Sequence, residues 1–252
     1  MRVPILTYHS LDESGSIIST RPEWFVHQME WLAGNGYYTI SISELIAYGQ
    51  GRREISPKAV ILTFDDGFRS VFTLARPILE RLNFRATVFV TINHCGAFND
   101  WSTQPPGIPR LPMLSWDELR TLSRERWEIG AHTLTHPPLT RLPLSQAESE
   151  VVSSQQRLES ELGQPVNCFA YPYGLCDVRI RSIVARHYLG ACGIHLGLAG
   201  RQSDPYAFER IDAYYLRSRF MTRHLGSAGM DPYLRARQWL RDLRGTAHYY
   251  NP

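Results

Sequence analysis

The chain has 252 residues, enough for a sizeable core and compatible with one α/β barrel or with two smaller domains. With 43% hydrophobic, 12% aromatic and 20% charged residues it is neither disordered nor a coiled coil. Its longest apolar runs fall far short of the ~20 residues of a membrane span. The net charge of +3, from 27 basic and 24 acidic residues, is too small an excess to imply a nucleic-acid surface.

Strand-length apolar runs alternate with helical spacing from one end of the chain to the other. Val3 to Tyr8 reads as the first strand, and its start so near Met1 leaves no room for a secretory signal, which predicts a cytoplasmic protein. Helical spacing follows over Pro22 to Ala33, and Ser41 with Glu44 has the form of a capping-box start. Next come a strand over Ala59 to Phe64, a helix over Phe72 to Leu82, a strand over Ala86 to Thr91 and a helix over Ser115 to Arg126. Glu128 to Ala131, Cys168 to Tyr171 and Leu189 to Ile194 are strands separated by helices over Ser145 to Leu162 and Asp177 to His187. Ser115 with Glu118 and Ser145 with Glu148 repeat the capping-box pattern. Such alternation implies parallel strands with right-handed crossovers, and no composition break or internal repeat divides the chain. The expected architecture is α/β, a closed or nearly closed barrel forming one domain over residues 1–252.

Two connections interrupt the alternation, Asn93 to Pro112 and Leu196 to Glu209, and loops this long are usually functional rims or mobile segments. Cys95, Cys168, Cys176 and Cys192 form no CxxC pair and read as reduced thiols. Seven arginines against Asp231 and Asp242 give the stretch from Arg217 to Arg244 a net +5. Within the basic tail of residues 230–252, Tyr233 to Arg244 is expected to form an amphipathic helix, which either packs on the barrel or meets an anionic membrane or protein partner.

Three strand ends carry chemistry. Val60 to Phe64 runs into Asp65-Asp66-Gly67, so adjacent carboxylates stand where a parallel strand ends, the face on which α/β barrels build active sites. Neighbouring side chains of an extended backbone point apart, so one carboxylate can hold a cation while the other serves as a base; a solvated Asp-Gly turn is the plainer alternative. His132-Thr133-Leu134-Thr135-His136 follows another strand. Pro137 disfavours a helix there, so a tight turn supported by a Thr hydroxyl is expected to converge two imidazoles on one metal. An isolated His-x-x-x-His is more often a coincidence than a metal site, but joined to the Asp pair it becomes a candidate two-His, one-carboxylate site with positions open for water and substrate. The third strand end, Phe169-Ala170-Tyr171-Pro172-Tyr173-Gly174, can fix a backbone N–H outward and wall a pocket.

These segments resemble the three motifs of the NodB-homology polysaccharide deacetylases, carbohydrate esterase family four: Thr63-Phe64-Asp65-Asp66-Gly67, then His132-Thr133-Leu134-Thr135-His136, then Tyr171-Pro172-Tyr173-Gly174, in the family's order. The resemblance covers a core of residues 57–195. The N-terminal portion, Pro4 to Ser10 and Phe25 to Gly36, looks like the circularly permuted branch that includes poly-N-acetylglucosamine deacetylases. The resemblance implies a distorted (β/α)7-type barrel and a divalent metal held by Asp66, His132 and His136, with Zn2+ expected and Co2+ or Ni2+ as substitutes. It implies Asp65 as the base that activates water and the backbone N–H of Tyr173 as an oxyanion donor. The leaving amine needs an acid, supplied either by His9 in Tyr8-His9, preferred for the permuted branch, or by His195 in Gly193-Ile194-His195. One departure stands out: the Arg that in many members holds the catalytic Asp is replaced by Ala170. Arg210, in the run Asp204 to Ile211, begins a further strand and is the candidate to supply that guanidinium, unless it is a surface residue paired with Glu209 or Asp212.

The implied activity is hydrolysis of N-acetyl groups on an N-acetylhexosamine-containing polysaccharide, oligosaccharide or glycolipid, with release of acetate. Its rivals are an O-acetyl esterase or non-sugar amidase on the same fold, and a sugar-binding module without turnover.

Overall fold

In the computed structural model, which describes residues 1–216, 218–227 and 229–243, seven parallel strands close on themselves in chain order. They are β1 (Ile5–Tyr8), β2 (Ala59–Phe64), β3 (Thr87–Val90), β4 (Glu128–Ala131), β5 (Cys168–Ala170), β6 (Gly190–Leu196) and β7 (Phe208–Asp212). Each pairs with the next, and β7 pairs with β1 through Ile211 opposite Leu6 and Asp212 opposite Thr7, so no barrel edge is left open. The ring is the distorted (β/α)7 barrel expected, one domain with helices outside it.

Strand alternation sorts the side chains into two sets. Ile5, Ile61, Phe89, Ala170, Cys192 and Phe208 point inward and form one buried cluster. Leu6, Leu62, Val88, Ile129, Phe169 and Ala191 point outward into a larger cluster shared with the helices. Those helices are α1 (Pro22–Gly34), α3 (Arg76–Arg81), α4 (Trp116–Arg124), α5 (Leu144–Leu162), α6 (Val178–His187), α7 (Arg219–Arg223) and α8 (Met230–Leu243), while α2 (Ile42–Gly49) belongs to the inner cluster.

Several local expectations are corrected. The first strand breaks at Pro4, which has no N–H to donate. Arg2–Val3 pairs antiparallel with Ala199–Gly200, a short strand inside the expected Leu196–Glu209 loop, while Ile5–Tyr8 enters the barrel. The helix expected from Phe72 to Leu82 is a π-turn over Val71–Ala75 that leads into α3, with the Arg76 N–H bonded to the Val71 carbonyl. Pro77 cannot donate to Thr73, and the wider turn just upstream absorbs that break. Ser41–Glu44 and Ser115–Glu118 form complete capping boxes, but Ser145–Glu148 does not: the N-cap of α5 is Pro143, two residues earlier, which leaves Ser145 inside the first turn. A short strand at Tyr38–Thr39, unforeseen, pairs with Ala59–Val60 outside the ring.

The N-terminal end of the barrel is closed by α2, whose Ile42, Leu45 and Ile46 join the inner cluster. Its first turn is held by Glu128 of β4, whose carboxylate accepts the N–H groups of Ile42 and Ser43 and the hydroxyl of Thr87 at 2.8–3.0 Å. α8 packs on the barrel through buried Met230 and Leu234, through Gln238, which accepts the Leu196 N–H, and through Arg241, which donates to the Ile194 carbonyl. Of the arginines counted in that basic stretch, Arg217 and Arg244 lie outside the described residues, as do 244–252 generally. All four cysteines are free thiols, and no described helix is long and apolar enough to cross a membrane.

Glu128→Ala should strip three donors of a charged acceptor at once. Urea denaturation should register a loss of about 2–3 kcal/mol, the scale of a hydrogen bond to a charged group or of an unsatisfied buried donor. The chemistry at the opposite mouth of the barrel should be unchanged.

Candidate active site

All three motif segments emerge from the C-terminal ends of β2, β4 and β5, the mouth opposite α2. Asp65 and Asp66 are buried side by side, and the structure separates them by backbone conformation. Asp66 has φ 70° and Gly67 φ 93°, so the chain turns sharply after Asp65 and presents the two carboxylates in different directions. Asp65 continues the inward phase of Ile61 and Thr63 into the barrel.

There it meets Arg210 of β7, whose side chain is only 2% exposed. Nη1 and Nη2 of Arg210 donate to Oδ1 and Oδ2 of Asp65, both at 2.7 Å, while Nε donates to the Gly193 carbonyl at 2.8 Å. This two-pronged pair supplies the guanidinium that Ala170 lacks, and it removes the alternative of a surface arginine. Burial pushes the Asp65 carboxyl up, but the Arg210 charge and hydrogen bonds outweigh it and hold the group below its ordinary value. Arg210 is in turn held more firmly protonated by that carboxylate despite its burial.

Asp66 faces the histidines. Its Oδ1 lies 3.3 Å from Nε2 of His132 and 3.2 Å from Nε2 of His136, and the three groups form the buried cluster among the described residues that could hold a metal ion. Both separations from Asp66 fit: ligands at 2.0–2.2 Å around a tetrahedral Zn2+ stand about 3.3–3.6 Å apart, and two imidazoles with one carboxylate suit a first-row divalent ion. Burial raises Asp66 and lowers His136, yet the hydrogen bonds from both imidazoles leave the Asp66 carboxyl well below its usual range. His132 donates from Nδ1 to the Ala170 carbonyl at 2.7 Å, which makes Nε2 the nitrogen that would ligate an ion beside Asp66.

The His-x-x-x-His segment is the tight turn expected, not a helix. The Thr133 hydroxyl accepts the His136 N–H at 3.0 Å, and Thr133 and His136 sit at φ 69° and 60°. Glu150 of α5, unforeseen from the sequence, accepts the Leu134 and Thr135 N–H groups and the Thr135 hydroxyl at 2.7–2.9 Å. Tyr173 lies in a similar left-handed conformation, φ 60°, at the turn after β5, and Gly174 beside it has no room for a Cβ against Ile194. Four of the non-glycine residues with left-handed backbone, Asp66, Thr133, His136 and Tyr173, are therefore gathered at one mouth, where such strain commonly marks function.

His9 follows β1 directly, and the carbonyl of its neighbour Tyr8 accepts the Asp65 N–H at 2.9 Å. It is half-buried, and its charge reaches Asp65, Asp66 and His136. His195 is exposed on β6. Trp101 and Thr103 also belong to the site, although the sequence marked only the long loop that carries them. The Trp101 ring stacks on His136 at 4.3 Å, and Thr103 accepts from the Tyr173 hydroxyl and donates to the His136 carbonyl.

Arg210→Met would leave Asp65 buried without its counter-charge. Chemical denaturation should show a loss of about 3–5 kcal/mol, the cost of breaking a buried ion pair from one side. A change below about 1 kcal/mol would mean that solvent, not Arg210, stabilises the Asp65 charge.

Comparison with known proteins agrees with this geometry. Residues 52–191, more than half of the chain, match the family model described as polysaccharide deacetylase. YxkH of Bacillus subtilis (strain 168), named for the same family, is 26% identical over 211 residues, 83% of this chain and 71% of its own length. The poly-beta-1,6-N-acetyl-D-glucosamine N-deacetylases of Escherichia coli (strain K12) and Staphylococcus epidermidis are 27% and 25% identical over 51% and 63% of this chain. The chain spans only 20% and 55% of those two proteins. Among solved structures, the Streptococcus pyogenes deacetylase PplD in complex with acetate superposes with a TM-score of 0.74 at 23% identity, covering 84% of this chain and 92% of that one. IcaB from Ammonifex degensii gives 0.73 at 22%, covering 83% and 91%. At such identities these two likenesses speak for the fold, and the family match speaks for the lineage: the chain belongs to the polysaccharide deacetylase family.

Proposed function

We propose that the protein is a metal-dependent deacetylase that cleaves the amide of N-acetylhexosamine units in a saccharide or glycoconjugate and releases acetate. The observation that carries this reading is the buried Asp66–His132–His136 cluster set beside a second carboxylate that Arg210 keeps ionised. A divalent ion, zinc in our reading, would be held by those three residues; it would polarise the acetamide carbonyl and make a bound water acidic.

Asp65 is the proton acceptor in this scheme. Its two oxygens are fixed by the guanidinium, so it keeps one orientation, and its depressed pKa leaves it free of a proton at neutral pH. The Tyr173 backbone N–H, carried on the left-handed turn after β5, is the donor to the developing oxyanion. His9 protonates the departing amine; its place after β1, within electrostatic reach of both aspartates, favours it over exposed His195. β-1,6-linked N-acetylglucosamine is the first polymer to test, because curated relatives are named for it.

Acetate release should be measured from β-1,6-linked and chitin-type N-acetylglucosamine oligomers and from O-acetylated controls. Release from an N-acetylated oligomer, abolished by chelation and restored by Zn2+, is the expected result; release from O-acetyl substrates alone would overturn the amidase reading.

Asp65→Asn should lower turnover by about 100-fold or more while metal stays bound, the scale of a lost general base. Asp66→Asn should instead weaken metal affinity, with partial rescue by excess metal. Because Asp65→Asn also strips Arg210 of its counter-charge, thermal melts must accompany both variants; loss of metal by Asp65→Asn and retention by Asp66→Asn would reverse the roles.

His9→Ala should depress amide turnover far more than turnover of an activated ester, whose leaving group needs no proton. Normal amide turnover in His9→Ala together with a loss in His195→Ala would move the acid to His195.

A further inference from the structure

The two histidines of the cluster are held in different ways. The His132 ring is fixed by its Nδ1 bond to Ala170. The Nδ1 of His136 is buried and has no hydrogen-bond partner among the described residues, so the only polar contact of that ring is the one its Nε2 makes with Asp66, inside the cluster itself. Metal-binding imidazoles almost always have such a partner, and its loss typically costs 10–100-fold in metal affinity. Something else must orient His136.

Aromatic packing does so. Trp101 lies over the imidazole with centroids 4.3 Å apart and planes 29° apart, while Tyr173 meets it nearly edge-on at 4.6 Å and 81°. Trp101 is itself held by packing. It is buried in a small cluster with Phe68 and Met113, and the Asn99 side chain braces its loop by donating to the Pro109 carbonyl and accepting the Leu111 N–H. Thr103 fastens the same loop to the His136 carbonyl at 3.0 Å. An indole fixed in this manner leaves the imidazole one plane to occupy, which is what a ligand needs if its Nε2 is to point at Asp66 before any ion arrives.

We propose that Trp101 is the positioning residue for the third metal ligand, with ring stacking on His136 taking the place of the missing Nδ1 hydrogen bond. The inference rests on the reading of Asp66, His132 and His136 as a metal site. The test is a titration of metal-stripped protein with Zn2+ against a chromophoric chelator, with thermal melts of each apo variant. Trp101→Leu should weaken Zn2+ binding by about tenfold or more, at the lower end of the range for an orienting group. Trp101→Phe, which restores a ring, should recover most of that loss. Met113→Ala removes packing behind the indole without touching His136; it should lower the melting temperature and leave affinity within about twofold of the unmodified chain, the scatter we allow for a residue outside the orienting shell.

Unchanged affinity in Trp101→Leu would overturn the proposal. So would a Met113→Ala defect as large as that of Trp101→Leu, because the effect would then be general loosening of the loop, and so would a Trp101→Phe no better than Trp101→Leu. If the unmodified chain binds no Zn2+, the metal reading falls and takes this inference with it; Zn2+ binding there with no effect of Trp101→Leu sinks the inference alone.

Discussion

A carboxylate inside a barrel has to be neutralised by a proton or by a cation, and here the cation is Arg210. Its guanidinium spans from β7 to the end of β2, bonds both oxygens of Asp65 and turns its remaining Nε–H to the Gly193 carbonyl. Burial alone would push Asp65 toward the protonated form, in which it could accept nothing. The charge state of the candidate base is therefore set by the strand that closes the barrel. Register reinforces the point: β7 lies between β6 and β1, so a slip of one residue would turn Arg210 out of the interior and leave Asp65 without a partner.

The same logic explains how two adjacent aspartates can both be ionised while buried. Like charges in neighbouring positions raise one another's pKa unless each has its own cationic or hydrogen-bonding partner. Asp65 is matched with an arginine and Asp66 with two imidazoles, and the left-handed backbone at Asp66 allows neighbours in sequence to face separate partners. The Asp-Asp-Gly turn is the device that divides the pair. Gly67, at φ 93°, completes a turn that few other residues could make.

Much of this was legible in the chain. Apolar runs of strand length marked all the barrel strands but β7, which was expected to begin in the run that carries Arg210 and does span Phe208–Asp212, and the phase of Ile61 and Thr63 leads straight to an inward Asp65. The His-x-x-x-His turn was readable because Pro137 excluded a helix, and the Thr133 hydroxyl does support it. Ala170 in place of the expected arginine directed attention to Arg210. What stayed hidden depends on contacts distant in sequence. Glu150 meets the turn only because α5 folds back beside β4, and Glu128 holds α2 across 86 residues. Trp101 stood in a loop whose length was conspicuous but whose path no periodicity could give. Local rules failed where proline intervened: Pro4 splits the first strand, Pro77 follows a π-turn, and Pro143 displaces the capping box expected at Ser145.

The separation of Asp65 and Arg210 along the chain bears on how the molecule is made. They lie 145 residues apart, so on a ribosome adding about 5–20 residues per second the carboxylate emerges roughly 7–30 s before its guanidinium. During that interval β2 can pair with its neighbours, but the ring lacks β7. The sheet retains open edges, and Asp65 is stable only while water still reaches it. A nascent chain thus cannot complete this mouth early and wait; sealing the interior and fixing the charge of the base become one late event. The last strand to leave the ribosome sets how long the half-built sheet stays vulnerable to pairing with other chains.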